Sequence, residues 1–380
     1  LTATSVTFHG NAAMFPDVNG GVINKKLSWE ETNQYDLGLD LSFLDYRLRL
    51  VVDYYYRYTK GQLNRISLPG DIYYHLFQWQ NGMAISNQGL ELELEADILR
   101  HTSVKWKMKF NASRNWNRFE KSADGFDFEE QVIGKPLHQI RVFKTDGFYD
   151  SLKDVPVYYL ANREVQPLYS GNTTGIFLPG SRKIIDLNGD GKISENDDVY
   201  FAKSPLPLAH GGFINQLRWK NFDLNIFFNY SLGRHIVKIY DDMSLTVNGD
   251  AKPLFVDVND VNIWTGAGSK ADYPKSQMYV YLQNQTSGRY DCDIENVSFL
   301  RLKQLTLGYN VGERVLNKLK ISGARVFITG ENLFLLTNYS GLDPEVRSNN
   351  EDSSNDMMKG IDYGSYGMPR QFILGVNISF

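Results

Sequence analysis

The chain has 380 residues, a formal net charge of −4, 13% aromatic residues including 23 Tyr and 22 Phe, and one cysteine. That balance lacks the basic field a phosphate backbone demands, which excludes nucleic acid as a partner, and the single thiol, Cys292, excludes a disulfide framework and a CxxC metal or redox site. No stretch approaches the roughly 18 apolar residues of a membrane-spanning helix. The composition suits either a membrane β-barrel, whose strands turn every second residue to lipid, or a β-sandwich. Leu1 opens the chain without a leader pattern, so an N-terminal portion is expected to precede it.

Taken in chain order, residues 1–34 read as a loop region and residues 35–380 as barrel strands joined by long loops. Strands are expected at 35–43 and 46–57, where Tyr46, Leu48, Leu50, Val52, Tyr54 and Tyr56 alternate with polar residues. Such a period of two marks strand, not helix. The segment DIYYHLFQWQN follows as an expected loop, and its Tyr73, Tyr74, Phe77 and Trp79 are candidates for stacking on a ligand or meeting a partner. Residues 88–98 place Leu90, Leu92, Leu94, Ala96 and Ile98 on one face and Glu91, Glu93, Glu95 and Asp97 on the other. Residues 102–117 repeat the pattern with Lys105, Lys107 and Lys109 on the charged face. An acidic strand thus precedes a basic one, and pairing them as a hairpin brings opposite charges together. Glu91, Glu93, Glu95, Lys105, Lys107 and Lys109 are the candidate lining of a barrel lumen.

The loop DLNGDGKISENDD carries the pattern of a calcium loop: Asp186, Asn188 and Asp190 at positions 1, 3 and 5, Gly191 at the turn, the Lys192 carbonyl at 7, Ser194 at 9 and Asp197 at 12. Alternating oxygen donors around a glycine turn can wrap a hard cation, so structural Ca²⁺ is expected. Position 12 departs from the pattern, holding Asp in place of the bidentate Glu. Further strands are expected at 211–219, 222–231, 297–309, 323–334 and 371–380, making about nine. Short links alternate with loops too long for a compact domain, the habit of a transmembrane barrel with short periplasmic turns and long extracellular loops. Nine strands alone leave two unpaired edges, which lipid does not tolerate, so further chain is expected to complete the barrel. The fold expected is therefore all-β, the C-terminal portion of a large antiparallel transmembrane barrel. Six scattered histidines and the absence of HExxH or GxSxG motifs argue against an enzyme.

Several segments in order resemble the C-terminal half of the SusC/RagA family of TonB-dependent transporters: LSWEETNQYDLGLDLSF with Trp29, Glu30 and Gly38; VVDYYYRYTKGQL; NQGLELELEA; the DLNGDGKI loop; SPLPLAHGGFINQLRWKNFDLNIFFNYSLG; and a tail ending at Phe380. That resemblance implies a bacterial outer-membrane barrel of about twenty-two strands, importing a glycan or oligopeptide. It also implies a SusD-like surface lipoprotein as lid, outer-membrane lipid around the wall, and TonB acting through the absent N-terminal part. The alternative is a surface-exposed ligand-binding or adhesion β-protein.

Overall fold

The computed structural model describes residues 3–8, 11–16, 22–67, 77–127, 131–159, 164–170, 177–194, 199–238, 262–274, 289–345, 360–362, 364 and 366–380. Nine long strands form one sheet: β1 (Glu31–Phe43), β2 (Leu48–Ser67), β3 (Phe77–Leu99), β4 (Val104–Lys121), β5 (Ala209–Trp219), β6 (Phe222–Leu232), β7 (Phe299–Asn310), β8 (Gly323–Thr337) and β9 (Gln371–Ser379). Their order in the sheet is their order in the chain, and β1–β2, β2–β3, β5–β6, β6–β7, β7–β8 and β8–β9 pair antiparallel. All nine expected strands are present.

Three expectations need correction. Less of the span between 57 and 88 is loop than expected: β2 and β3 run to 20 and 23 residues, well beyond the 9–11 or so that cross a bilayer. Gly61, at φ 68°, absorbs a register shift between Lys60 and Leu63 and lets the ladder continue. Phe77 and Trp79 consequently stand at the start of β3, while Tyr73 and Tyr74 lie outside the described residues. Tyr46 belongs to a turn, since Leu44, Asp45 and Tyr46 all take left-handed φ near 53–62° and β2 starts at Leu48. Between β7 and β8 the chain forms an unexpected helix, α1 (Glu313–Leu319). Glu313 in its first turn and Lys318 in its last complement the helix dipole.

The expected 1–34 loop region holds a two-stranded hairpin, Ala3–Phe8 with Asn11–Pro16, and β1 begins at Glu31. Two compact units divide the chain, one of Leu1–Ala96 with Lys109–Leu137, the other of Asp97–Met108 with His138–Phe380. Within the second unit the apolar core lies in the connections between strands. Phe143, Tyr149, Leu168, Phe177, Ile193 and Tyr290 form its largest cluster, drawn from residues 138–208 and 289–290. The sheet faces, in contrast, expose rows of large apolar side chains.

Candidate functional site

Alternation places two chemically opposed faces on each unit's strands. In the first unit Tyr35, Leu37 and Leu39 of β1 lie beside Tyr56, Tyr54 and Val52 of β2, and these lie beside Gln88, Leu90 and Leu92 of β3. Leu37 is 74% exposed, as Leu374 of β9 is 75% exposed in the second unit. Phe372, Val376 and Ile378 share the row of Leu374 and are likewise exposed. A soluble sandwich buries such rows in its core, whereas a membrane wall presents them to lipid. At the short-turn end of the second unit Trp219 stacks on Phe222 and Tyr309 tilts against Phe222, with ring centroids 6.3 and 5.0 Å apart. An aromatic row at that height is what a membrane interface selects.

The opposite face is polar. In the first unit Asp40 accepts from Arg49 Nη2 at 2.9 Å, and Glu95 pairs with Lys109 at 2.8 Å, so the acidic and basic strands meet as expected. Tyr55 lies over Gly89, where an added Cβ would sit 2.3 Å from the ring, and its hydroxyl bonds the Asn115 side chain at 3.0 Å. The resemblance motif around Trp29 is itself a clamp: Asn81 Nδ2 donates to the carbonyls of Ser28 and Gly61, Ser28 N–H donates to Asn81 Oδ1, and Leu63 N–H donates to Glu30. Trp29 is exposed and stands outside that network.

In the second unit, Arg325 of β8 crosses the intervening β7 strand at Gly308 to reach Asp223 of β6 through two bonds of 3.0 and 2.5 Å. A Cβ at Gly308 would meet both groups within 2.7 Å. Near the other ends of these strands lies a cluster the sequence did not announce. Arg301 of β7, 3% exposed, donates from Nη2 to Asp343 Oδ1 at 2.5 Å, and its Nε stands 2.6 Å from Glu345 Oε2 as a charge contact lacking hydrogen-bond direction. Asp343 also accepts from the N–H groups of Glu345 and Met368, both at 2.9 Å. Asn229 of β6 donates to Glu345 at 3.2 Å, and Arg234 donates to the carbonyls of Pro205 and Pro344. Burial lowers the Arg234 guanidinium against the pull of Glu345, Tyr339 and Asp362. Three connections are thereby fastened to the strand ends at the segment Gly341–Glu345. Asp362, fully buried, accepts a short bond from the Tyr339 hydroxyl and another from Gly364 N–H at 2.8 Å. A lone Arg in the apolar run FLRL, read together with DPE downstream, was the available sequence signal.

The acidic loop closes on itself. Asp186 accepts from the N–H groups of Gly189 and Gly191 at 2.6 and 2.8 Å, Asn188 from that of Asp190 and Asp190 from that of Lys192. Gly189 and Gly191 take φ 77° and 84°, the left-handed turns their positions predicted. Lys192 and Ile193 then pair in parallel with Tyr169 and Ser170. Ser194 is half-buried, and Asp197 lies outside the described residues. Among the described residues no three metal-ligating His, Cys, Asp or Glu side chains converge. The donors present, two carboxylates, an amide and a carbonyl on one turn, are the oxygen set a hard cation takes.

A family model described as TonB dependent receptor-like, beta-barrel, matches residues 2–250. The chain belongs to this TonB-dependent receptor family. It is 33% identical over 374 residues to TonB-dependent receptor P3 of Formosa agariphila, covering 96% of this chain and 36% of that one. It is 28% identical over 361 residues to TonB-dependent receptor SusC of Bacteroides thetaiotaomicron, covering 94% and 32%. The chain therefore spans about a third of the length of these curated relatives. Among solved structures, the RagAB peptide importer in its open-open state superposes with a TM-score of 0.70 at 22% identity, covering all of this chain and 37% of that one. The receptor is thus an outer-membrane β-barrel of the SusC and RagA kind, and its strands carry exposed apolar rows.

Proposed function

We propose that the receptor imports a nutrient, a glycan or an oligopeptide, across the outer membrane as the barrel subunit of a complex with a SusD-like surface lipoprotein, powered through TonB. The observation that carries this reading is the pairing of a lipid-facing sheet with large connections that hold their own packed core. A wall of this kind needs no such core to cross a bilayer, whereas a surface that captures cargo and seats a lid does. On this reading the short turns are periplasmic and the long connections extracellular, which makes the strands from Glu31 onward and their connections wall and vestibule, with the hairpin of Ala3–Phe8 and Asn11–Pro16 preceding them. Glu91, Glu93, Glu95, Lys105, Lys107 and Lys109 face the lumen, and Phe77 and Trp79 rise above the membrane at the β2–β3 tip. The test is co-purification in detergent of the full-length receptor from its native membrane, joined to uptake by a deletion strain. Recovery of a lipoprotein and loss of growth on one glycan or peptide source supports the proposal; a receptor purified alone, with unchanged growth on both, overturns it.

Ca²⁺ at the 186–197 loop is part of the same proposal, with Asp186, Asn188, Asp190 and Asp197 side chains, the Lys192 carbonyl and Ser194 as holders. Burial alone would raise the Asp186 carboxyl, but the amides of Gly191 and Gly189 and the Tyr158 hydroxyl hold it below its ordinary 3.8. The carboxylate form is favoured by folding, so its contribution is complete above that ordinary value and disappears as pH falls through the lowered one. Ca²⁺ is expected to protect the loop from proteolysis at neutral pH, and D186N to abolish the protection. Equal cleavage with Ca²⁺ and with chelator would remove calcium from the account.

A further inference from the structure

One cavity in the second unit has a mostly basic lining. About 300 Å³ in volume, it lies beside the short β3–β4 turn and is lined by Arg100, Lys105, Lys107 and Arg218 against a single acid, Asp97. The excess follows from the strand pattern. Glu95 neutralises Lys109 at 2.8 Å. Two residues nearer the turn on each strand come Asp97 and Lys107, and two further come Leu99 and Lys105, so the acidic row ends while the basic row continues. The neighbouring β5 strand adds another cation, Arg218, whose register partner on β6 is Asp223. That carboxylate is already engaged in two hydrogen bonds by Arg325. Leu99, Gln216 and Trp106 complete the lining, the Trp106 indole N–H donating to Asn215 at 3.1 Å.

Like charges gathered in a concavity with low-dielectric walls raise the local potential and concentrate counter-ions there. Guanidinium and ammonium groups on facing strands match the oxygens of an oxyanion, and charge-assisted bonds of this type are the strong ones. We propose that this cavity is an anion site that takes a carboxylate, sulfate or phosphate group of a small solute. Its assignment to cargo rests on the import reading, since only then does a solute pass this wall; binding itself does not require transport.

The experiment uses the full-length receptor in detergent at fixed ionic strength, titrated with sulfate, inorganic phosphate and glucuronate in exchange for chloride, and read by tryptophan fluorescence and melting temperature. Saturable binding is expected, weakened about tenfold in K105Q/R218Q, which removes two charge-assisted contacts, and strengthened about threefold in D97N. The preferred anion among the three separates sulfated or phosphorylated from carboxylated solutes. Identical titrations for wild type and K105Q/R218Q overturn the proposal as general salt screening. So does a wild type that binds no added anion while K105Q/R218Q loses melting temperature, because the cavity's counter-charge is then a carboxylate of the receptor itself. Because the readout is binding, a receptor that binds anions yet imports nothing overturns the import reading and leaves the site standing.

Discussion

Replacing Arg301 by methionine is expected to release the Gly341–Glu345 segment from the strand ends and to cost about 3–5 kcal/mol, the usual penalty for removing one partner of a buried ion pair. Asp343 and Glu345 converge on that guanidinium, which is only 3% exposed, and methionine fills the volume without offering a donor. Asp343 is then left buried without its cation, and Glu345 keeps only the pull of Arg234. The Asp343 bonds to the Glu345 and Met368 amides cannot replace it, since each supplies a dipole in place of a charge. Surface pairs such as Arg49 with Asp40, half exposed on both sides, offer the contrast: R49M is expected to leave the unfolding transition essentially where it is in wild type. The measurement is thermal unfolding of the full-length receptor in detergent, with proteolysis mapping of the segment. Adding D343N to R301M should recover part of the loss, because the variant pair no longer buries that charge. An R301M receptor as stable as wild type would show the cluster to be incidental.

The parts of this fold that were legible in the sequence are those where two solvents meet at one strand. On the proposed reading, lipid on one side and water on the other impose a period of two along Leu90 to Ile98 and along Phe372 to Phe380. The same logic set the acidic strand against the basic one, and in the structure Glu95 meets Lys109. Glycine turns in the acidic loop were equally local, because the residue that permits the left-handed backbone is the signal itself. What escaped was non-local or cooperative. Continuation of β2 past residue 57 depends on Gly61 admitting a bulge and on Asn81, from the next strand, closing it. Helix α1 is one short element whose seven residues show no sustained period. Arg301 and Asp343 stand 42 residues apart in the chain, so their meeting leaves no local pattern. The loop core is likewise assembled from scattered aromatic and aliphatic residues that read as surface aromatics when taken one at a time.

That core makes the second large effect separable from the wall. Phe143 is fully buried, tilts against Tyr290 with centroids 6.4 Å apart, and sits at the end of a short strand, Ile140–Phe143, paired with Val199–Lys203. Its N–H also donates to the Arg289 carbonyl at 2.9 Å, so one residue ties residues 140–203 to the start of the 289–298 segment. Truncation to alanine should cost about 3–5 kcal/mol, transfer and cavity terms together. None of the side chains that pack in this cluster lies on the nine-stranded sheet, so the loss should stay in the connections. F143A is therefore expected to insert and to keep the barrel's resistance to detergent denaturation, while its 138–208 segment becomes protease-sensitive and, on the proposed function, capture of a surface lipoprotein fails. V157A, at an exposed position 53% accessible, serves as the control and should change neither property. If F143A lowers wall and loop stability together, the connections and the sheet fold as one cooperative unit. If it alters neither, the cluster is too loosely packed to organise a vestibule.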